Sequence, residues 1–482
     1  MKHKWIVLLV IGSLLTGAGG TYTILEWKDK KEESSQISKV ESKSNQEYDG
    51  DDNLDKVERA YNLILNNYVQ EVGEKTLIEG AIQGMLNQLK DPYSVYMDKE
   101  TSRQFSDTLE STFEGIGAEI SKVDGKIMIV SPFKDSPADK AGIKPNDQIL
   151  KINGESVEGL ELFEATQKIK GKKGTKVKLE IARKGLNEPV KLEIIRDEIP
   201  QITVHSDMKE QDGKKIGYME LTTFSESTAE EFFKELQALE QKGMEGLLID
   251  VRGNPGGLLS SVEEILKEFV SKEHPYVQIE KRDGKKKRYF SSLNSDKDYP
   301  VAVLVDKESA SAAEILAGAL QEAEDYKLIG ETTFGKGTVQ QAVPMGDGSN
   351  IKLTIYKWLT PNGNWIHNKG IKPDIEVEQP DIYHTHPINA EKPLEKDMNN
   401  EQVKNAQQIL DGLGLAPGRM DGYFSEQTEI AVKAFQQKHK LPLTGKIDVT
   451  TASALELAAI EAMKKESNDL QLQTALRYLT RE

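Results

Sequence analysis

The feature that most constrains this chain is Val301–Val305 (VAVLV), followed closely by Ala312–Gln321 (AAEILAGALQ). The first run is short, β-branched and apolar throughout, which reads as a buried parallel strand. The second has apolar residues at helical spacing and reads as a helix. Ser309 and Ser311 therefore fall in a strand-to-helix turn, where free backbone N–H groups favour developing negative charge. Either serine could simply cap the helix. A nucleophilic serine needs a base, and none of the seven histidines sits in a comparable turn. Lys336 does: Gly335 and Gly337 flank it, and burial can lower a lysine pKa toward neutrality. The plain alternative is a solvated loop lysine. Gln340, four residues on, is expected to share a side with Lys336 and to hold its amine through the amide oxygen.

The chain around these residues alternates strand and helix. Ile216–Leu221 and Gly246–Val251 read as strands, Ala229–Leu239 and Val262–Leu266 as helices, so residues 187–380 form a layered α/β body. Arg252-Gly253-Asn254-Pro255-Gly256-Gly257 leaves the carboxyl end of a strand, where such sheets place their sites. The backbone amides of Gly257 and Ala312 are candidates for an oxyanion hole. Asp250 and Arg252 read as an internal ion pair. Tyr276–Tyr289 is expected to form a hairpin over the cleft, and Ile351–Leu359 a half-buried strand.

At 482 residues the chain needs several cores, and a net charge of −16 argues against nucleic acid as its partner. With no cysteine, disulfides and thiol nucleophiles are excluded. Lys2 and Lys4 precede the uncharged stretch Trp5–Leu25, so residues 1–27 read as a membrane anchor or a signal peptide that exports the remainder. Residues 28–52 are polar and read as a flexible stalk. Residues 53–110 form an N-terminal helical region whose apolar faces must pack on the body or on a second copy, ending at Asp91-Pro92-Tyr93-Ser94.

Residues 111–186 resemble a PDZ domain through Gly115-Ile116-Gly117-Ala118, Pro137-Ala138-Asp139-Lys140-Ala141-Gly142-Ile143 and Asp147–Gly154. The resemblance implies a nest of N–H groups at Gly115–Ala118 for a chain-terminal carboxylate, with the peptide added as a strand beside Gly117–Ile120. Ile116 and Ile120 would line the side-chain pocket. Lys168–Lys178 is a basic cluster that reads first as a solvated loop and strand face, the sharper alternative being that Lys170 or a neighbour pairs with a carboxylate of the α/β body. His384 and His386 lie in a linker (381–397) with too few ligands for a metal. Residues 398–463 resemble the three-helix peptidoglycan-binding domain through Asp421–Phe424, Thr428–Val432 and Ala434–Gln436. Residues 464–482 read as a frayed helical tail.

ESASAAEI (308–315), GETTFGKGTVQQ (330–341) and DVRGNPGGLL (250–259) together resemble the carboxyl-terminal processing peptidases, serine proteases with a Ser-Lys dyad. The resemblance makes Ser311 the nucleophile, Lys336 the general base and Gln340 the residue that orients the lysine. Ala313 stands where the family often has a further serine. The implied fold is multidomain α+β: an N-terminal helical segment, a PDZ domain, a layered α/β protease core and a C-terminal three-helix module. The implied function is an exported endopeptidase that recognises polypeptide C-termini and needs no metal or organic cofactor. Its partners would be protein substrates, peptidoglycan, the membrane through the N-terminal segment, and a second copy. A non-catalytic wall-bound PDZ scaffold is the alternative, against which the intact Ser311, Lys336 and Gln340 speak. A cell-wall hydrolase would need a carboxylate pair or metal cluster that the sequence does not offer.

Overall fold

The computed structural model describes residues 54–481 apart from 124, 187 and 296, so the anchor and stalk expected over residues 1–52 lie outside the described residues. Two compact units part between Ile78 and Glu79. The N-terminal region comprises α1 (Asp55–Asn67), α2 (Glu74–Asn87), the short strand β1 (Val95–Met97) and α3 (Lys99–Leu109). Helix α1 buries none of its residues, and Leu54, Val57, Leu63 and Ile64 are exposed. Among the described residues no helix is long and apolar enough to cross a membrane.

The PDZ-like domain contains β2 (Thr112–Gly115), β3 (Ala118–Val123), β4 (Lys126–Pro132), α4 (Pro137–Lys140), β5 (Gln148–Ile152), β6 (Glu155–Ser156), α5 (Leu162–Ile169), β7 (Lys176–Ala182), β8 (Val190–Ile195) and β9 (Asp197–Pro200). Its sheet runs β3-β4-β5-β7-β8, which leaves β3 as an edge beside α5. Strand β8 pairs along β7 from Val190 to Ile195, so the domain continues past the boundary expected at residue 186. The entering strand β2 and the leaving strand β9 pair with each other. Arg196, just before β9, is buried and donates to the carbonyls of Lys168, Ile169 and Lys176. It thereby ties the end of α5, whose last carbonyls lack intrahelical partners, to this exit.

The body runs through β10 (Val204–Gln211), β11 (Lys214–Leu221), α6 (Thr228–Gln241), β12 (Gly246–Asp250), α7 (Leu259–Leu266), β13 (Pro275–Glu280), β14 (Lys286–Phe290), β15 (Val301–Val305), α8 (Ala312–Glu324), β16 (Lys327–Gly330), β17 (Thr338–Pro344), β18 (Asn350–Leu359) and β19 (Ile375–Glu376). The central sheet has the order β10-β11-β12-β15-β16-β19. From β11 onward its pairs are parallel. A second sheet joins β1, β18, β13 and β14, with β17 along β18. The expected hairpin is β13–β14, and the Asp-Pro-Tyr-Ser turn feeds β1 into this sheet through Val95–Lys352 pairing. The region before the PDZ-like domain therefore contributes a strand to the body.

Alternate residues of a strand point to opposite faces, and both faces of the central sheet are covered. Leu247, Ile249, Val301, Val303 and Val305 pack against α6, α7 and α8. Ile216, Leu248, Ala302, Leu304 and Ile329 pack instead on Leu472, Ala475, Leu476 and Leu479. Those last residues belong to α12 (Leu470–Leu479), which follows the module helices α9 (Glu401–Gly412), α10 (Glu426–Lys438) and α11 (Val449–Met463). The tail is therefore not frayed. It returns from the module and closes the second face of the body, because a parallel sheet left open there would expose a row of Ile and Leu.

If the tail is part of this core, Leu476→Ala lowers the unfolding free energy by about 2–5 kcal/mol, the cost of truncating a buried leucine. Urea unfolding followed by tryptophan fluorescence measures it. An unchanged midpoint would mean that the tail does not support the body.

Candidate active site

Three neighbouring parallel strands, β12, β15 and β16, send their carboxyl ends to one edge of the sheet. The loops that follow carry Gly253–Gly257, Ser309–Ser311 and Glu331–Gly337. Ser311 opens α8 with φ 55° and ψ −112°, a conformation that a residue with a Cβ seldom adopts. Such strain persists only where the surroundings hold it, and it clusters at functional sites.

What holds it is Glu314, whose side chain is fully buried. Its Oε2 accepts the Ser311 N–H at 2.9 Å and the Lys336 N–H at 2.7 Å. Oε1 accepts the Gly335 N–H at 2.7 Å and the Thr333 hydroxyl at 2.6 Å. One carboxylate oxygen therefore brings the backbone of Ser311 and Lys336 together. The Phe334 N–H to Ser309 carbonyl bond at 3.1 Å adds a second tie between the two loops. The sequence reading assigned Glu314 no role. Its signal was present, since Ser-x-x-Glu at a helix start is the spacing at which a glutamate reaches back to the first N–H groups.

Around Lys336 the backbone is caged. Trp358 Nε1 donates to the Lys336 carbonyl and Trp365 Nε1 to that of Gly337, each at 2.8 Å. A Cβ on Gly335 would lie 2.8 Å from the Gly370 nitrogen, so the turn tolerates only glycine there. The Lys336 amine pKa is lowered to about 8, chiefly by burial and further by the positive charge of Lys352, against the pull of Glu314 and Asp91. Its Nζ sits 4.9 Å from the centre of the Tyr93 ring. No hydrogen bond joins it to Ser311 Oγ in this conformation, among the described residues.

Gln340 departs from expectation. Its Nε2 donates to Thr338 Oγ1 at 2.9 Å and Thr354 Oγ1 at 3.2 Å, and no hydrogen bond joins it to Lys336. The cause is local: β17 begins only at Thr338, and its register with β18 shifts between Val339 and Gln340. Counting four residues along the chain does not survive that irregularity.

The Gly256 N–H is taken by Asn254 Oδ1 at 2.8 Å. The N–H groups of Gly257 and Ala312 have no partner among the described residues. A Cβ built on Gly256 would lie 2.8 Å from Ser311 Cβ and 3.0 Å from the Ala312 nitrogen, so this turn lies against the serine. Asp250 and Arg252 form the expected ion pair, with Nη2 to Oδ2 at 2.6 Å.

In the PDZ-like domain the N–H groups of Ile116 and Gly117 also lack partners among the described residues, whereas Gly115 pairs in β2 and Ala118 opens β3. The Ile116 side chain lies in the domain core and cannot line an open pocket; Ile120 on the edge strand is only partly buried. Lys170 meets Asp107 of α3 at 3.9 Å and the Phe113 ring at 5.2 Å, so its partner is the helix before the domain and not the α/β body. His384 pairs with Lys307, and no group of metal-ligating side chains occurs among the described residues.

Comparison with known proteins agrees with this architecture. Residues 215–377 match peptidase family S41, residues 106–182 the PDZ domain, and residues 399–455 a peptidoglycan binding domain. Residues 14–101 match the N-terminal domain of the activating protease CtpB. The chain is 56% identical over 479 residues to the carboxy-terminal processing protease CtpB of Bacillus subtilis, covering 99% of both chains. It is 44% identical to the carboxy-terminal processing protease CtpA of the same organism, covering 90% of this chain and 91% of that one. The chain thus belongs to peptidase family S41, among the carboxy-terminal processing proteases, and is a serine-type endopeptidase.

Proposed function

We propose that Ser311 and Lys336 form a catalytic dyad in an extracytoplasmic protease that selects its substrates by their C-termini. The observation that carries this reading is the Glu314 oxygen shared by the N–H groups of Ser311 and Lys336, beside an amine whose pKa is about 8. Ser311 Oγ attacks the peptide carbonyl carbon and gives its proton to the neutral Lys336 amine. The carbonyl oxygen, now an anion, is held by the free Gly257 and Ala312 N–H groups. Lys336 then returns the proton to the leaving nitrogen as the C–N bond breaks. Water gives a proton to the same amine as it attacks the acyl carbon, the bond to Ser311 Oγ breaks, and the amine returns that proton to Oγ, which restores the resting enzyme. Lys336 must first leave the Tyr93 ring, and Gln340 must turn if it is to orient the amine.

The free Ile116 and Gly117 N–H groups suit a terminal carboxylate, and the β3 edge suits the preceding residues of a substrate chain. The C-terminal module would hold the enzyme at peptidoglycan, and residues 1–27 would anchor or export it. The exposed apolar face of α1 supports pairing with a second copy.

On an unstructured protein substrate, Ser311→Ala and Lys336→Ala each lose about 10³-fold or more of kcat, as removal of a dyad member should. Turnover that survives in either variant would falsify the dyad.

The base works only when neutral, so kcat rises with pH through about 8 and levels above it. The Lys352 charge favours the neutral amine, and its removal must raise the Lys336 pKa. Lys352→Met is therefore expected to move this limb to higher pH. A limb that stays in place or moves down would contradict the assignment.

For C-terminal recognition, amidating the last carboxylate of a substrate-derived peptide should weaken its binding to the Ser311→Ala protein about tenfold or more, since a charge-assisted set of bonds is lost. Fluorescence anisotropy reads this, and equal affinity for acid and amide would rule the nest out.

A further inference from the structure

The turn that carries Gly257 is gripped from the far end of the chain. Arg252 connects β12 to Gly253, and its guanidinium lies between two carboxylates. Nε donates to both oxygens of Asp250, at 3.0 and 3.1 Å. On the other side Nη1 and Nη2 reach the two oxygens of Asp469, each at 2.9 Å, and Nη1 also reaches Gln471 Oε1 at 3.0 Å. Asp469 is the N-cap of α12, accepting the Leu472 N–H at 2.9 Å, and it also accepts Gln379 Nε2 at 2.7 Å.

From Arg252 the connection to the site is continuous. Gly253 N–H is held by both oxygens of Asp306, at 3.0 and 3.1 Å. The Asn254 carbonyl accepts the Ala310 N–H at 2.9 Å, and its side chain bridges Leu221 and Gly256. Gly256 then lies against Ser311.

A tail that served only to cover the sheet would need its apolar residues and a helix cap. Asparagine caps a helix about as well as aspartate. What asparagine cannot supply is a second anionic oxygen for a bidentate guanidinium fork. The two-pronged contact at Asp469 therefore asks for more than a cap.

We propose that Asp469 is a positioning residue for the peptidase reaction: by fixing Arg252 in this fork, the C-terminal tail sets the Gly253–Gly257 turn against Ser311. This rests on the reading of Gly257 as an oxyanion donor. Loss of the fork shifts that donor more than it shifts the substrate-binding surfaces, so it acts on the transition state.

The experiment compares full-length wild type, Asp469→Asn and Leu476→Ala at a temperature where near-UV circular dichroism shows each folded. Cleavage of an unstructured protein gives kcat and KM, and a peptide boronate, which places an oxygen where the oxyanion forms, reports on the hole. Asp469→Asn should lose about tenfold in kcat with KM within about twofold, and boronate affinity should fall in parallel. Leu476→Ala should lower the urea midpoint yet keep its kcat. Wild-type kcat in Asp469→Asn, a change in KM alone, or an equal loss of kcat in Leu476→Ala would overturn the proposal. If Asp469→Asn does not fold, Gln471→Met, which removes one acceptor and leaves the ion pair, should lose kcat several-fold; wild-type kcat there overturns it equally. Ser311→Ala is assayed first, so that failure of the site reading is seen separately.

Discussion

Glu314 is the constraint on which the arrangement of this site depends. A carboxylate with no exposure to solvent is costly unless its oxygens are filled, and here four donors fill them. Three of those donors are backbone N–H groups from two different loops, so the penalty of burial becomes a specification of loop geometry. The strained Ser311 backbone and the caged Lys336 turn are both consequences. Replacing Glu314 would leave those N–H groups buried without partners, and the cost would fall on the register between the loops as much as on stability.

The β12 and β15 strands and the α8 helix were legible because buried parallel strands and helices differ in period and length, whereas β16, four residues long, was not read. The Ser311 and Gly257 loops followed, since such sheets carry their sites at strand carboxyl ends, and the Lys336 loop was marked by its flanking glycines. Gln340 faces Thr338 and Thr354 in this conformation for a reason that periodicity cannot see: an irregular register at the start of β17 changes which way a side chain four residues on will point. Ile116 was misjudged because a glycine-rich turn says where N–H groups face, and nothing about where the intervening side chain goes. Tyr93 was out of reach for a different reason. It lies far from Lys336 in sequence, and only the entry of β1 beside β18 brings it near.

The tail was misread although its role had a trace in the sequence. Val301–Val305 is apolar at every position, and such a strand needs cover on both sides. Helices α6, α7 and α8 cover one side of the sheet, and α12 supplies the other after the whole C-terminal module has intervened. Only Leu472, Ala475, Leu476 and Leu479 in that final stretch show helical spacing, a weak signal beside the polar residues between them. The return of the chain also explains why the Asp250–Arg252 pair is not self-contained. Asp250 shares the sheet face of Leu248, and Tyr218 and Asp469 complete its surroundings.

The contact between Lys336 and Tyr93 has a bearing on how a resting site becomes competent. A charged amine over a ring is held by about 0.5–2 kcal/mol, and more when desolvated. The attraction depends on the positive charge, so it vanishes when the amine loses its proton. With a pKa of about 8, roughly one lysine in ten is already neutral at pH 7. On the reading of Lys336 as the base, the form able to accept the Ser311 proton is then also the form that the ring no longer retains. Burial and the Lys352 charge therefore act twice: they raise the population of the base, and they release it toward the serine. Tyr93 in turn holds back only the protonated amine, which cannot accept the Ser311 proton.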